Sequence, residues 1–104
     1  MIIQVNSDGH VDGNVNVIVE VEEKVQRALE RHVDRITRVE VHLNDENAHK
    51  NGQDDQRCVM EARLNGLPPI AVTHKAATMP QALDGAIERL RNAIANQLGR
   101  IESR

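Results

Sequence analysis

The 104-residue chain contains no phenylalanine, tyrosine or tryptophan. A core must therefore be built from Val, Ile, Leu, Met and Ala, which bury less area per residue than aromatic rings, and we expect modest stability. Proteins that bind single-stranded nucleic acid without sequence preference generally stack bases on aromatic rings. The composition therefore argues against that class of binding protein.

Cysteine is nearly absent, and targeting signals are absent. The single cysteine, Cys58, excludes an internal disulfide and a multi-thiolate zinc site, and it fits a reducing compartment. The start, MIIQVNSDGH, has no basic flank, and its apolar run is too short for a signal peptide or a membrane span. We expect a cytoplasmic protein with no membrane partner, folded as one domain over residues 1–104.

The sequence also lacks a catalytic or metal-binding constellation. It has no serine nucleophile elbow, no Gly-rich phosphate loop and no paired carboxylate framework. Asp45 and Asn47 faintly resemble a calcium loop, but Lys50 stands where the glycine should be and Gln56 where the bidentate glutamate should be. Cys58 alternates with core residues, which indicates a buried, inert thiol. We expect no enzyme, no cofactor and no metal.

The five histidines form no HxH or HxxxH pair, so we interpret them as surface residues rather than metal ligands. They are His10, His32, His42, His49 and His74.

The hydrophobic periodicity predicts four strands and two helices in the order βαβββα. The predicted elements are a strand over Ile2–Asn6, a helix over Asn14–His32, strands from Thr37, Gln56 and Ile70, and a helix that follows Thr78. The early valines of the first helix would suit a strand equally well. A right-handed crossover makes the first two strands parallel and places both helices on one face of the sheet. The fold class is therefore α+β with a four-stranded mixed sheet.

Two connections are predicted in more detail. A five-residue loop over residues 65–69 would pair Leu64 with Ile70 and Ala62 with Val72, and a three-residue loop would also keep the core residues on one face. The segment from Glu46 to Asp55 contains no apolar residue except Ala48, and we expect it to be mobile.

The formal net charge is −3, which by itself argues weakly against nucleic acid as a partner, but the charged residues are unevenly distributed along the chain. At about 100° per residue, Lys24, Arg27, Arg31 and Arg35 form a stripe along one flank of the first helix. In the last helix one flank carries the bases Arg89 and Arg100 with Asn96, and the other carries Arg91 with Glu88 and Glu102. The two basic flanks have the same hand relative to their cores. If the helices pack side by side, these residues and Lys75 would follow a phosphate backbone.

The alternative interpretation of this charge pattern is an ordinary solvated helix surface. Ion pairs one turn apart, such as Glu23 with Arg27, are typical of such a surface and need no ligand.

Several segments carry a family resemblance. The βαβββα order and the stretches RVEVHLNDEN, VMEARLNG and IAVTHKAATMPQALDGAIERLRNAI resemble the ribosome hibernation-promoting factor and ribosome-associated inhibitor family, also called sigma-54 modulation proteins. The resemblance covers nearly the whole chain. It implies a domain similar in shape to a double-stranded-RNA-binding domain, which occupies the decoding region of the small ribosomal subunit and blocks tRNA and mRNA there.

Carried over by position, the family's basic residues match Lys24, Arg27, Arg31, Lys75 and Arg89. Two departures stand against it: Asn92 occupies a position where the family often has a further base, and Glu20, Glu22 and Glu23 dilute the charge of the first helix. Because the chain ends at Arg104, the resemblance is to the short members without a carboxy-terminal dimerisation domain.

Our leading hypothesis is a non-enzymatic hibernation factor, monomeric or weakly dimeric, that binds small-subunit rRNA and not DNA. Its predicted RNA-binding residues are Lys24, Arg27, Arg31, Arg35, Lys75, Arg89 and Arg100. The alternative is a protein-interaction regulatory module with the same fold and little rRNA affinity. The acid-rich first helix is the observation that suggests it. A small metal-dependent or thiol enzyme would require convergent ligands that the sequence does not offer.

Overall fold

The computed structural model describes residues 1–8, 15–45 and 56–102. Its elements are β1 (Ile2–Ser7), α1 (Val15–Ala28), a short 3-10 helix (Glu30–His32), β2 (Ile36–Asp45), β3 (Gln56–Leu64), β4 (Ile70–Ala76) and α2 (Met79–Glu102). This order confirms the predicted βαβββα fold. The mobile loop that the sequence predicts over residues 46–55 lies outside the described residues.

The four strands form one mixed sheet in the order β1-β2-β3-β4. β1 and β2 are parallel, as the crossover through α1 requires, and the two later pairs are antiparallel. Both helices cover the same face, where their apolar residues and alternate strand residues join in one buried cluster. Its largest fully buried side chains are Val25, Leu29, Val39, Val41, Leu43, Cys58, Met60, Leu90 and Ile94.

A β-bulge near the start of β2 adds one residue to the predicted core. Ile36 pairs with Leu64 and Arg38 pairs with Arg63, so two steps along β2 oppose one step along β3. The extra residue resets the alternation of the strand. Ile36 and Val39 are therefore both buried although they lie three positions apart.

The predicted pairing of β3 with β4 is wrong by two residues. The strands are joined by the expected segment of five residues, but Ala62 pairs with Ile70 and Met60 with Val72. Leu64 instead pairs with Ile36 on the other side of β3. The shift keeps every side chain on its predicted face, because it is an even number of residues. Within the connection Gly66 has a φ of 74°, which favours glycine.

α1 ends earlier than predicted. The α-helix stops at Ala28, and the chain continues through Leu29 into the 3-10 helix, where the His32 amide donates to the Leu29 carbonyl at 2.9 Å. Leu29 is fully buried. The tighter turn keeps the apolar side chain of Leu29 in the core while the chain bends towards β2.

α2 begins with the predicted cap and ends beyond the sheet. The Gln81 amide donates to the Thr78 hydroxyl at 3.3 Å, as in the first half of a capping box. Leu83, Ile87, Leu90, Ile94 and Leu98 are buried as predicted, but Ile101 is 36% exposed. A helix of 24 residues spans roughly 36 Å, whereas the seven residues of β4 span roughly 23 Å. The last turn therefore projects past the strands that would bury Ile101.

His74 is not the surface histidine that the sequence predicts. It pairs across the sheet with Cys58 and lies on the helix-covered face, half-buried beside Gly85 of α2. A Cβ atom at position 85 would lie within 2.6 Å of the His74 Cγ, well inside van der Waals contact. Gly85 is therefore the residue that admits the imidazole ring between α2 and β4.

We predict that Gly85→Ala destabilises the fold although alanine has the higher helix propensity. The propensity gain is about 1 kcal/mol, and we expect the clash with the His74 ring to outweigh it, for a net loss of about 1–2 kcal/mol. Urea denaturation measures the difference. The double variant Gly85→Ala/His74→Ala should lose less than the sum of the two single variants. Additive losses would show that the ring and the methyl group do not compete for the same space.

Candidate functional site

The two helices run in the same direction over the sheet. The first half of α1 shares an apolar cavity of about 240 Å³ with the start of α2, where Val17 and Val21 lie near Met79 and Leu83. Further along, the residues after Ala28 share a second cavity with Ala95 of α2. The amino-terminal parts of α1 and α2 therefore lie side by side, and so do their carboxy-terminal parts.

This parallel arrangement decides which flanks face each other. Two parallel helices on one sheet turn flanks of opposite hand towards each other, whereas flanks of the same hand point the same way. The flank of α1 with Lys24 and Arg27 faces α2, and it meets the flank that carries Arg91. Arg89 lies about 200° around α2 from Arg91 and so belongs to the far flank.

The cavity between the second halves of the helices is basic. It has a volume of about 670 Å³ and offers three guanidinium groups, one imidazole and one amide against one carboxylate. We call it the basic groove; its lining residues are Arg27, Ala28, Glu30, Arg31, His32, Arg91, Asn92 and Ala95. Such a set of donors fits an anionic, oxygen-rich ligand.

Two of the cations between the helices already have carboxylate partners. The Lys24 ammonium lies 3.1 Å from the Asp84 carboxylate and ties α1 to α2, while Arg91 pairs with Glu88 of its own helix. Within the described part of the chain, neither Arg27 nor Arg31 has an ion pair. The basic groove therefore presents two guanidinium groups that internal carboxylates do not neutralise.

The structure separates the other predicted RNA-binding residues from the groove. Lys75 is exposed on the opposite, open face of the sheet, where Arg57 is its neighbour in the register of β3 and β4. Arg89 and Arg100 are exposed on α2, and the Gly85–His74 contact places the far flank of α2 on the β4 side. Arg35 lies in the turn before β2, where its amide donates to the His32 carbonyl.

Arg91, Asn92 and His32 line the basic groove although the sequence interpretation placed none of them there. The predicted order βαβββα contains the information that was needed, because each helix follows a strand of the same direction and the helices must then be parallel. Parallel helices turn flanks of opposite hand towards each other, so the side of α2 with Arg91 is the one that faces α1.

The open face of the sheet carries ion pairs between neighbouring residues. Arg38 pairs with Glu40 at 3.1 Å and also contacts Gln4, and Arg63 pairs with Glu61 at 3.3 Å. Glu40 and Glu61 stand directly opposite each other in β2 and β3, so each arginine offsets part of their repulsion. These contacts have a structural explanation without a ligand.

The residues that the structure describes form neither a metal site nor a reactive thiol site. Among them, no three His, Cys, Asp or Glu side chains converge as a metal site would require. Cys58 is fully buried, and burial raises the pKa of its thiol to about 12. In the described portion, neither helix is long and apolar enough to cross a membrane.

The chain belongs to the sigma 54 modulation protein / S30EA ribosomal protein family, whose model matches residues 3–102. This confirms the resemblance inferred from the sequence. Members are ribosome hibernation and interface factors rather than enzymes, which agrees with the expectation of a non-enzymatic protein.

Two solved structures share the fold. The N-terminal domain of Protein Y from Thermus thermophilus is 21% identical, with a TM-score of 0.71 over 90% of this chain and 96% of that chain. A ribosomal subunit interface protein from Coxiella burnetii is 18% identical, with a TM-score of 0.72 over all of both chains. The comparison with curated proteins found no match.

We predict that Cys58 is unreactive in the folded protein. Because its pKa is raised to about 12, the thiolate fraction near pH 8 is very small, and the sulfur is buried as well. A disulfide reagent such as DTNB at pH 8 should modify it only at the rate of unfolding, and at once in denaturant. Rapid modification of the native protein would contradict this assignment.

Proposed function

We propose that the chain is a cytoplasmic ribosome hibernation factor that binds small-subunit rRNA at the decoding region and excludes tRNA and mRNA. Its family membership supports association with the ribosome. The basic groove between α1 and α2 supports the RNA as the direct partner. We further propose that the chain acts as a monomer or weak dimer.

The observation that carries the proposal is the convergence of Arg27 and Arg31 with Arg91 on one cavity. Phosphate binding depends on local density of positive charge, and a net charge of −3 does not prevent it when cations face one groove. Guanidinium groups bind phosphate oxygens in a bidentate manner and stay charged at every physiological pH.

Folded RNA fits this surface better than single-stranded RNA. The chain has no aromatic ring on which to stack a base. Structured RNA is recognised mainly by shape and by contacts to phosphate and 2′-hydroxyl groups, for which arginine and asparagine side chains suffice. Asn92 offers a donor and an acceptor between the arginines of the groove.

The predicted contacts outside the groove form a second part of the proposed surface. Arg89 and Arg100 on the far flank of α2 would meet RNA that passes over that helix towards β4. Lys75 and Arg35 are exposed at other edges of the domain and would contact phosphates only if the RNA wraps around it. We therefore rank the groove residues above these four.

The protein should co-sediment with small ribosomal subunits at low salt and dissociate as salt rises, and it should compete with tRNA and mRNA for the subunit. Arg27→Gln and Arg31→Gln should each weaken binding and lower the slope of log affinity against log salt by about 1. Sedimentation or filter binding across a salt series measures both quantities.

Arg63→Gln serves as the matched control, because it removes the same charge from the open face of the sheet. Arg89→Gln tests the far flank of α2 in the same assay. Association that is absent even at low salt would refute the proposal. Equal losses in Arg27→Gln and Arg63→Gln would refute the groove as its site.

The acid-rich first part of α1 favours one alternative, a regulatory module that binds protein. Val15 and Val19 are 74% and 43% exposed, and Glu20, Glu22 and Glu23 follow within the same helix. Purification of the tagged protein that enriches one protein and no ribosomal RNA would support this function over RNA binding.

A further inference from the structure

Asp84 lines a cavity between the helices with Lys24, Arg27 and Arg91, and Glu88 follows it one helical turn later on α2. Each holds a cation of the same inter-helical surface, Lys24 in one case and Arg91 in the other. Both ion pairs are exposed, with side-chain exposures of 45% and 62% for Lys24 and Asp84 and of 47% and 56% for Arg91 and Glu88. They are therefore open to exchange with a solvent-borne anion.

We propose that Asp84 and Glu88 are internal competitors of the RNA, which occupy Lys24 and Arg91 in the free protein and limit its affinity. The inference rests on the proposed function. A carboxylate and a phosphate offer the same kind of acceptor to ammonium and guanidinium groups. An RNA phosphate that enters the groove must either displace the carboxylate or tolerate its charge nearby.

The stability of the fold does not explain the two pairs well. Exposed ion pairs of this kind contribute little to folding, because solvent screens them and ordering two flexible side chains opposes them. The core that joins each helix to the sheet is apolar and buried, so it does not depend on them. Their effect on a charged ligand is larger. The Asp84 carboxylate lies in a cavity with Arg27 and Arg91, and the Glu88 carboxylate holds Arg91 of the basic groove, so both repel a phosphate that approaches these cations.

The arrangement has a consequence for the choice of ligand. A phosphate that meets only Lys24 or Arg91 gains little, because it exchanges one anion for another. An RNA that reaches Arg27 and Arg31 at the same time gains two cations without an internal partner in the described structure. Asp84 and Glu88 therefore favour RNA whose phosphates match the spacing of the whole groove over isolated anions.

Asp84→Asn and Glu88→Gln test the proposal in the full chain with small-subunit binding as the readout. Each should tighten binding at low salt by about threefold to tenfold, because one repelling charge beside the groove is removed and one cation becomes available. Each should also steepen the salt dependence by up to about 1 in log-log slope. The melting temperature should stay within a few degrees of the unmodified protein.

Glu22→Gln is the matched control for charge. Glu22 is two positions from Lys24, about 200° around α1, so it lies on the flank turned away from α2. It changes the net charge of the protein by the same amount as Asp84→Asn. Tighter binding in Asp84→Asn than in Glu22→Gln supports a local competitor, whereas equal gains would reduce the effect to net charge and overturn the proposal.

A coupling test separates competition from helix positioning. In a Lys24→Gln background, Asp84→Asn should gain less than it does in the presence of Lys24, because no cation remains to be released. If Asp84→Asn weakens binding or lowers the melting temperature markedly, the ion pair positions the helices and the proposal fails. If the unmodified protein and both variants fail to bind at low salt, the proposed function fails instead.

Discussion

The parallel direction of α1 and α2 over one face of the sheet is the constraint on which the candidate site depends. It follows from the strand pairing. β1 and β4 run in the same direction, α1 follows β1 and α2 follows β4, so the two helices return across the sheet in the same direction. Once the direction is fixed, the hand of each flank determines what it meets. Lys24, Arg27 and Arg31 meet the side of α2 with Arg91, and Arg89 is turned towards β4.

An aromatic-free core makes close approach between layers more important. The described core contains no side chain larger than Leu, Ile or Met, so the helices must lie near the sheet to exclude water. Ala82 and Ala86 are completely buried on the side of α2 that approaches the sheet, and Gly85 leaves room for the His74 ring. Small residues along α2 thus compensate for the absence of large ones elsewhere.

The periodic parts of the fold could be predicted from sequence, whereas the register could not. Alternation correctly placed Val39, Val41 and Leu43 in the core, since one face of β2 is covered by helices. Alternation gives parity only, and a shift of two residues between β3 and β4 leaves it unchanged. The bulge that buries Ile36 is a local irregularity, which no periodic pattern can reveal.

The basic flank of α1 was also predictable, whereas the flank of α2 that faces it follows only once the direction of the two helices is considered. Helical spacing alone identifies both flanks of α2 and gives no preference between Arg89 and Arg91. The preference needs the tertiary direction of the helices. Likewise, His74 alternates with core residues of β4, yet its polarity led to a surface assignment that the contact with Gly85 corrects.

Charge in this domain is organised locally, and the net value hides that organisation. The open sheet face pairs arginines with Glu40 and Glu61, so these cations are occupied by neighbours on their own strands. The inter-helical surface pairs Lys24 and Arg91 in the same way but leaves Arg27 and Arg31 to solvent in the described structure. Two unpaired guanidinium groups attract phosphate more strongly than the four ion-paired cations, because an ion pair has no net charge and its field falls off faster with distance than that of a single charge. The distribution of carboxylates, more than the number of arginines, therefore determines where an RNA can bind.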